Sequence, residues 1–292
     1  MMFPAVAQIS ADGFPVRVVC RVLKVSPSGY YDWCSRPASA RDVEDAYLIE
    51  RIRAIHAGSR QTYGAPRVHA ELRLGLGLAI GRKRVERLMR CTGIQGVHRR
   101  RWRRGGKPSP AVFEDRVQRR FHADAPDRLW FTDITQHRTA EGWVYCAVVL
   151  DVFSRRVVGW SIADHLRTEL VADALDMARL QRKPPPRQTI LHSDRGTQYT
   201  SWLFGKRMRD AGLMGSMGAV GSAYDNAAME SFFGSMQIEL LDRRTWPTRA
   251  GLAAAIFEWI EGFYNPTRRH SAIGYLSPVA FEALHTAAPT AA

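Results

Sequence analysis

The chain has 292 residues, 46% of them hydrophobic, and a formal net charge of +14. That is enough for one large or two modest domains with packed cores. There is no run of about 18 apolar residues and no signal-peptide pattern, which excludes a membrane span and predicts a cytoplasmic protein. The four cysteines are scattered and form no Cys-x-x-Cys pair, which disfavours a disulfide framework or a zinc module.

The positive charge is concentrated in the first part of the chain. Residues 1–120 contain 24 Lys and Arg against 10 Asp and Glu, whereas residues 121–292 contain 18 of each. This asymmetry predicts a polyanionic partner and favours nucleic acid over a membrane surface.

The sequence pattern of the first part of the chain predicts helices. Residues 16–36 predict two short helices around Ser-Pro-Ser-Gly, a helix-turn-helix pattern that a plain helical hairpin fits equally well. Further amphipathic helices are predicted over 42–57, 65–74 and 81–92. We therefore predict a basic, all-helical, helix-turn-helix-like region over 1–104 and a linker over 105–125, which opens with Gly-Gly-Lys-Pro-Ser-Pro.

The segment from Arg82 to Arg104 holds ten basic residues and one Glu. Such a helix face is often only solvated, but like charges at this density repel one another unless an anion lies against them. We therefore predict that this segment contacts DNA. Trp102 either stacks on a base or packs against the domain. The predicted contact residues are Arg82, Lys83, Arg84, Arg87, Arg99, Arg100, Arg101, Trp102, Arg103 and Arg104.

The pattern changes to strands in the second domain, predicted over 126–285. Apolar, β-branched segments over 128–135, 143–154 and 155–163 predict an antiparallel meander. A helix over Thr168–Gln181, a strand ending at Asp194, a helix near 201–211, a short apolar segment and helices over 226–241 and 248–264 follow. This order predicts an α/β fold with helices covering the sheet.

Three acids stand in unusual settings. Asp133 lies in the apolar strand "LWFTDIT", where a charge is costly unless it is paired or bound to a cation. Asp194 ends the strand "TILHSD", and Glu230 lies beside the apolar stripe of "YDNAAMESFF". Sixty residues separate the first two acids and 35 separate the second from the third.

With these motifs, the chain resembles the OrfB-type transposases of bacterial insertion sequences, which carry a retroviral-integrase-like D,D-35-E catalytic core. The segments "YYDWCSRPAS", "YGAPRVHAEL", "GRKRVERLMR" and "FYNPTRRHSAIGYLSPVAFE" carry the same resemblance from about residue 16 to 282. The resemblance implies a ribonuclease-H-like mixed sheet with flanking helices. It also implies a DNA transposase that integrates element DNA into target DNA by cleavage and strand transfer.

Under this resemblance Asp133, Asp194 and Glu230 are the catalytic and metal-binding residues. A pair of Mg²⁺ ions can activate the nucleophile and stabilise the leaving oxygen in phosphodiester cleavage. Mg²⁺ prefers oxygen ligands such as these carboxylates, and Mn²⁺ is a possible substitute. We assign Asp133 to bridge both ions and the other two acids to one ion each. No covalent protein–DNA intermediate is then required.

The resemblance also implies partners. We expect double-stranded DNA, both element ends and target, a homo-oligomer on that DNA and a nucleoid-associated location. Members of the family often act as a frameshift fusion with an upstream OrfA segment, and this sequence shows no long heptad repeat. We therefore expect weak end specificity alone and higher specificity as a fusion.

One position departs from the family pattern. Many members have Lys seven residues after the catalytic Glu, but here Gln237 occupies that position. We include Gln237 among the DNA contacts, with a weaker contribution because it carries no charge.

Other acids receive ordinary interpretations. Asp151 is predicted to be a turn residue and Asp225 a helix cap. His192 makes either a phosphate contact or a structural hydrogen bond, and substrate contacts of Arg195, Gln198 and Tyr199 are left open. Surface or helix-face charges are predicted at Asp164, Asp173, Asp176 and Glu239.

Two other functions compete with the transposase. A DNA-binding regulator would use only the helical region, and a nuclease of the same fold would cut without joining. A magnesium-dependent joining assay separates all three.

Overall fold

The computed structural model describes residues 2–98, 122–194, 196–217 and 227–286. The chain divides into two compact units, Met1–Arg53 and Ala54–Ala292. Most of the predicted linker over 105–125 lies outside the described residues, so the predicted domain boundaries remain predictions.

The first unit is helical. Helices α1 (Phe3–Ala11), α2 (Val16–Val22) and α3 (Pro27–Ser35) pack around a small core, and α4 (Ala40–Gly58) follows. The two short helices predicted over 16–36 are confirmed as α2 and α3. Helix α3 begins where Pro27 fixes the backbone and the Ser26 hydroxyl accepts the Gly29 N–H.

In the second unit, two short helices precede the sheet. Helix α5 (Ala65–Ala70) continues as a π-helical turn over Glu71–Gly75, and α6 spans Arg82–Cys91. The two helices pack together, and α6 buries one apolar face formed by Val85, Leu88 and Met89. The predicted helical pair and its basic second member are thus confirmed.

Five strands form one mixed sheet in the order β3-β2-β1-β4-β5. The strands are β1 (Leu129–Thr139), β2 (Gly142–Asp151), β3 (Val157–Ala163), β4 (Ile190–Ser193) and β5 (Met214–Met217). The predicted meander β1–β2–β3 is antiparallel, and β4 and β5 run parallel to β1. Strand β1 is longer than predicted because β2 pairs with it as far as the hairpin at Thr139 and Gly142.

Helices cover the sheet as predicted. Helix α7 (Thr168–Arg182) packs on β2 and β3, and its buried side chains join those of the sheet in the main core. The remaining helices are α8 (Trp202–Asp210), α9 (Ala227–Glu239), α10 (Arg249–Phe257), which continues as a π-helical segment over Glu258–Tyr264, and α11 (Pro278–Thr286). The predicted fold class, a mixed sheet with flanking helices after a helical region, is confirmed.

Helix α7 approaches β3 most closely at Gly159. A Cβ added there would lie 2.2 Å from the Ala174 carbonyl oxygen and 2.7 Å from the Ala178 Cβ. Gly159→Ala is therefore expected to destabilise the protein by about 1–3 kcal/mol or more in chemical denaturation, because the contact is with backbone. The matched control is Gly58→Ala, where a Cβ meets nothing within 4 Å. An equal loss in both variants would contradict this packing.

Two chain-wide expectations concern the membrane and the cysteines. No helix among the described residues is long and apolar enough to cross a membrane. All four cysteines are free, and Cys20 and Cys146 are buried.

Candidate active site

Asp133 and Asp194 lie side by side at the centre of the sheet. Thr132 of β1 pairs with Ser193 of β4, Asp133 is the next residue of β1, and Asp194 is the first residue after β4. Neighbouring parallel strands are about 4.8 Å apart. Because Asp133 and Asp194 occupy equivalent positions, each one residue beyond the pair of Thr132 and Ser193, their carboxyl groups come together where β4 ends. The sequence predicted that this strand end would hold Asp194 near Asp133.

The two carboxyl groups share a cavity of about 170 Å³. Its lining comes from β1, from β2 and from the loops before α7 and after β4. The lining residues are Asp133, Ile134, Thr135, Gln136, Tyr145, Leu166, Asp194, Gly196, Gln198 and Tyr199. The sequence interpretation missed those from the second half of β1, although the polar run "TQHRT" after "LWFTDI" was the available signal.

Backbone N–H groups hold both carboxylates. The Ile134 N–H donates to Asp133 Oδ1 at 2.8 Å, and the Gly196 N–H donates to Asp194 Oδ1 at 2.9 Å. A Cβ at Gly196 would lie 3.0 Å from that same Oδ1. The glycine therefore lets the loop fold back tightly on the carboxylate.

The site strongly perturbs Asp133. Burial raises the pKa of its carboxyl to about 7, and the negative charges of Asp194 and Glu230 push the pKa in the same direction, while the Ile134 N–H lowers it. Repulsion between neighbouring carboxylates disfavours the ionised form. Asp194 and Glu230 therefore both lie within electrostatic range of the Asp133 carboxyl.

Glu230 stands in the first turn of α9, which packs against β1. Aromatic contacts fix this helix, since the Phe232 ring lies edge-on to those of Trp259, at 5.7 Å, and Tyr264, at 4.9 Å. Glu230 itself is exposed and does not line the cavity. The structure thus brings two acids together in one cavity and sets the third beside them on a packed helix.

A buried ion network holds the far end of α9. Glu239 is 3% exposed and makes a bidentate pair with Arg268, at 2.6 and 2.7 Å, while Arg67 of α5 lies at 3.4 Å. The prediction that Glu239 is a surface charge is wrong. Its partner lies 29 residues further along the chain, so local sequence gave no sign of the pair.

The donor set suits a hard cation, with some rearrangement. Among the residues that the structure describes, no three His, Cys, Asp or Glu side chains are grouped closely enough to hold a metal ion as they stand. The Asp133 and Asp194 oxygens, both in one cavity, are nevertheless the ligand type that Mg²⁺ prefers. A cation there would also relieve the repulsion that raises the pKa of Asp133.

Three of the four other predicted residues near the site have structural contacts. His192 is buried and its Nδ1 hydrogen-bonds the Ser216 hydroxyl at 3.1 Å. Tyr199 is buried against the Thr132 hydroxyl at 3.3 Å. The Gln198 amide donates to the Leu166 carbonyl at 3.2 Å. Arg195 lies outside the described residues.

Other predicted acids lie away from the cavity. Asp151 is a turn residue as predicted, since it accepts the Ser154 N–H at 3.0 Å, but it is fully buried, and burial raises its pKa to about 6. Asp164 and Asp176 pair with Arg249 and Arg207 at the surface. Asp225 lies outside the described residues.

The predicted DNA-contact residues are only partly described. On α6, Lys83 and Arg87 are exposed, Arg84 is half-buried and Arg82 pairs with Glu86 at 2.8 Å. The Gln237 amide donates to Asp242 Oδ1 at 2.5 Å, a local partner that the sequence did not indicate. Six predicted contacts lie outside the described residues, namely Arg99, Arg100, Arg101, Trp102, Arg103 and Arg104.

Family models match three segments of the chain. An integrase core domain matches residues 123–223, a second integrase core model matches 211–278 and an HTH-like domain matches 42–102. The first two ranges together contain all three acids. The HTH-like match covers α4 to α6 rather than the α2–α3 pair that the sequence pattern suggested.

Curated relatives match almost the whole chain. The InsF transposase of insertion sequence IS3A from Escherichia coli K12 is 40% identical over 92% of this chain and 94% of its own length. A putative transposase of IS986/IS6110 from Mycobacterium tuberculosis is 38% identical over 91% and 97%.

Among solved structures, the HTLV-2 integrase catalytic core domain in complex with magnesium covers 51% of this chain and 92% of its own, at 18% identity and a TM-score of 0.38. The family is established by the full-length relatives and the domain matches. The chain belongs to the IS3 family of insertion-sequence transposases, polynucleotidyl-transferase enzymes that carry an integrase core.

Proposed function

We propose that this transposase cleaves DNA at element ends and joins the freed strands to target DNA, with Asp133, Asp194 and Glu230 as catalytic residues that hold Mg²⁺. The observation that supports this most strongly is the cavity that Asp133 and Asp194 share, where burial and the charges of the other two acids raise the pKa of Asp133 to about 7. A buried carboxyl group with a perturbed pKa that shares a cavity with a second carboxyl group is typical of catalytic sites.

The side chains have separate tasks in this proposal. The Ile134 and Gly196 N–H groups orient the Asp133 and Asp194 carboxylates by donating to one oxygen of each. Glu230 completes the set from α9. A bound pair of Mg²⁺ ions, for which Mn²⁺ would substitute, supplies stabilisation of charge on the attacking and leaving oxygens.

DNA is the partner of the basic helices in this proposal. Lys83 and Arg87 on the exposed side of α6 contact phosphates, together with the predicted residues around Arg99–Arg104. Homo-oligomerisation on DNA, action as an OrfA fusion and location at the nucleoid remain predictions of the family resemblance.

A strand-joining assay tests the proposal. The full chain is incubated with duplexes that carry the element ends and with target DNA, in Mg²⁺ or in EDTA. Joining is expected only with Mg²⁺, and Asp194→Asn is expected to reduce joining to background while DNA binding, measured in EDTA, is retained. Asp173→Asn, which changes an exposed acid on α7, is the matched control.

The other outcomes separate the alternatives. Cutting without joining would indicate a nuclease, and binding with neither activity would indicate a regulator. Unchanged joining in Asp194→Asn would defeat the assignment of the site.

A further inference from the structure

Helix α8 begins beside the cavity and presents an exposed tryptophan. The Ser201 hydroxyl donates to the Gln198 carbonyl at 2.9 Å, and the Gln198 side chain lines the cavity. Trp202 is the next residue, and 73% of its surface is exposed. The loop that carries Asp194 therefore ends on a large aromatic ring in solvent.

The exposed face of α8 continues with cations. Lys206 and Arg209 are exposed and lie four and seven residues after Trp202, which puts all three on one side of the helix. The opposite side is buried through Phe204 and Met208. We call the exposed set, Trp202, Lys206 and Arg209, the α8 stripe.

The two cations of the stripe do not reflect a general excess of positive charge in this part of the chain, because residues 121–292 contain equal numbers of basic and acidic residues. Asp210 is exposed next to Arg209 but is turned by about 80° from Trp202 around the helix. The Lys206 Nζ lies 5.5 Å from the centre of the Trp202 ring. This cation–π contact helps to hold the ring while both groups stay accessible.

From this arrangement we infer that the α8 stripe binds an unpaired nucleotide of the DNA strand at the cavity, with the base stacked on Trp202 and the neighbouring phosphates on Lys206 and Arg209. A free ring face accepts any base, whereas paired bases are stacked inside the duplex and present no face to it. Two cations along the helix suit successive phosphates. The inference rests on the proposed function, because it places DNA at the cavity of Asp133 and Asp194.

The test uses the full chain in EDTA, so that binding is measured even if no joining occurs. The probe is a DNA duplex with a short single-stranded extension that carries one 2-aminopurine, moved stepwise along the extension. Wild-type protein is expected to quench the fluorescence at one position through stacking. Trp202→Ala is expected to lose that quenching and to bind the extended probe about 5- to 160-fold more weakly, the range that base–aromatic stacking contributes.

The controls are chosen to isolate the ring. Trp202→Phe retains most of the quenching, and Trp143→Ala, at another exposed tryptophan on β2, leaves it unchanged. A blunt duplex binds wild type and Trp202→Ala equally. Lys206→Gln leaves the quenching position unchanged. It lowers the slope of log binding constant against log salt concentration by about one unit, as expected for the loss of one phosphate contact.

Two results would overturn the inference. One is undiminished quenching and affinity in Trp202→Ala, with an unchanged melting curve as evidence that the variant is folded. The other is a change of oligomeric state in Trp202→Ala without any change in DNA binding, which would make the stripe a protein interface. Failure of joining in the Mg²⁺ assay with the quenching intact would remove the proposed function and leave the nucleotide site standing.

Discussion

Asp133→Asn is expected to abolish strand joining and, in the same preparation, to make the metal-free protein more stable at about pH 8. Joining is expected to fall by roughly 10²–10³-fold or more, as for loss of a group that stabilises charge in a catalytic site. The substitution keeps the shape of the side chain, and its amide oxygen still accepts the Ile134 N–H. The negative charge is removed, and one carboxylate oxygen is replaced by an amide NH₂ donor.

The gain in stability follows from the raised pKa of Asp133. Burial and the charges of Asp194 and Glu230 raise this pKa to about 7 in the folded protein, whereas an unfolded aspartate titrates near 3.9. The folded state therefore binds the proton more tightly, and the free energy of unfolding falls as pH rises from about 4 to 7. Above that range the loss is complete and on the order of 4 kcal/mol.

Thermal unfolding in EDTA across this pH range checks the prediction. The melting temperature of wild type is expected to fall towards pH 8 more steeply than that of Asp133→Asn. Each kcal/mol of lost unfolding free energy corresponds to a fall of about 2–4 °C. Mg²⁺ is expected to stabilise wild type at high pH and not the variant, because only the ionised carboxylate binds the cation. Parallel pH curves for the two proteins would contradict the assigned electrostatics, and Asp173→Asn should behave like wild type.

The placement of Asp133 and Asp194 could be predicted because it depends on local patterns. Short β-branched runs separated by tight turns indicate the strands, and each acid stands at a recognisable point of its strand. The length of β1 could not be predicted in the same way. Its second half is polar, and pairing with β2 rather than its own composition keeps it extended.

Contacts over long sequence separations were not visible in the sequence. The Asn265 side chain hydrogen-bonds both the N–H and the carbonyl of Val157, at 2.9 and 3.0 Å, and so satisfies the edge of β3. Neither that role nor helix α11 was predicted. Glu239 has the local pattern of a surface acid in the last turn of a helix, and only the fold shows that it is buried against Arg268.

That burial gives the second large effect, since Arg268→Ala is expected to destabilise the second unit by about 3–5 kcal/mol. The Arg268 guanidinium donates twice to Glu239 and once to the Ser235 hydroxyl, at 2.9 Å. Its loss leaves the Glu239 carboxylate buried, with Arg67 at 3.4 Å as the remaining cation of the described network. A buried charge without its main partner is far costlier than a broken surface pair.

Arg207→Ala is the control that separates the effect of burial from the loss of an ion pair as such. Arg207 pairs with Asp176 at 2.7 Å in the same unit, but its side chain is 49% exposed against 3% for Arg268. Its removal is expected to cost at most about 1 kcal/mol in urea unfolding. Replacing both buried partners, Arg268→Met with Glu239→Leu, is expected to recover most of the lost stability, because the two most deeply buried charges are removed together and the remaining cation, Arg67, is partly exposed.

Since Glu239 and Ser235 lie on the helix that carries Glu230, the same variants connect stability with catalysis. Arg268→Ala is expected to lower joining even at temperatures where the protein remains folded, because α9 loses the network at its far end. The double apolar variant is expected to restore folding more fully than joining, since apolar side chains fix the helix less specifically than a bidentate pair. Equal unfolding free energies for Arg268→Ala and Arg207→Ala would show that the buried pair does not hold α9.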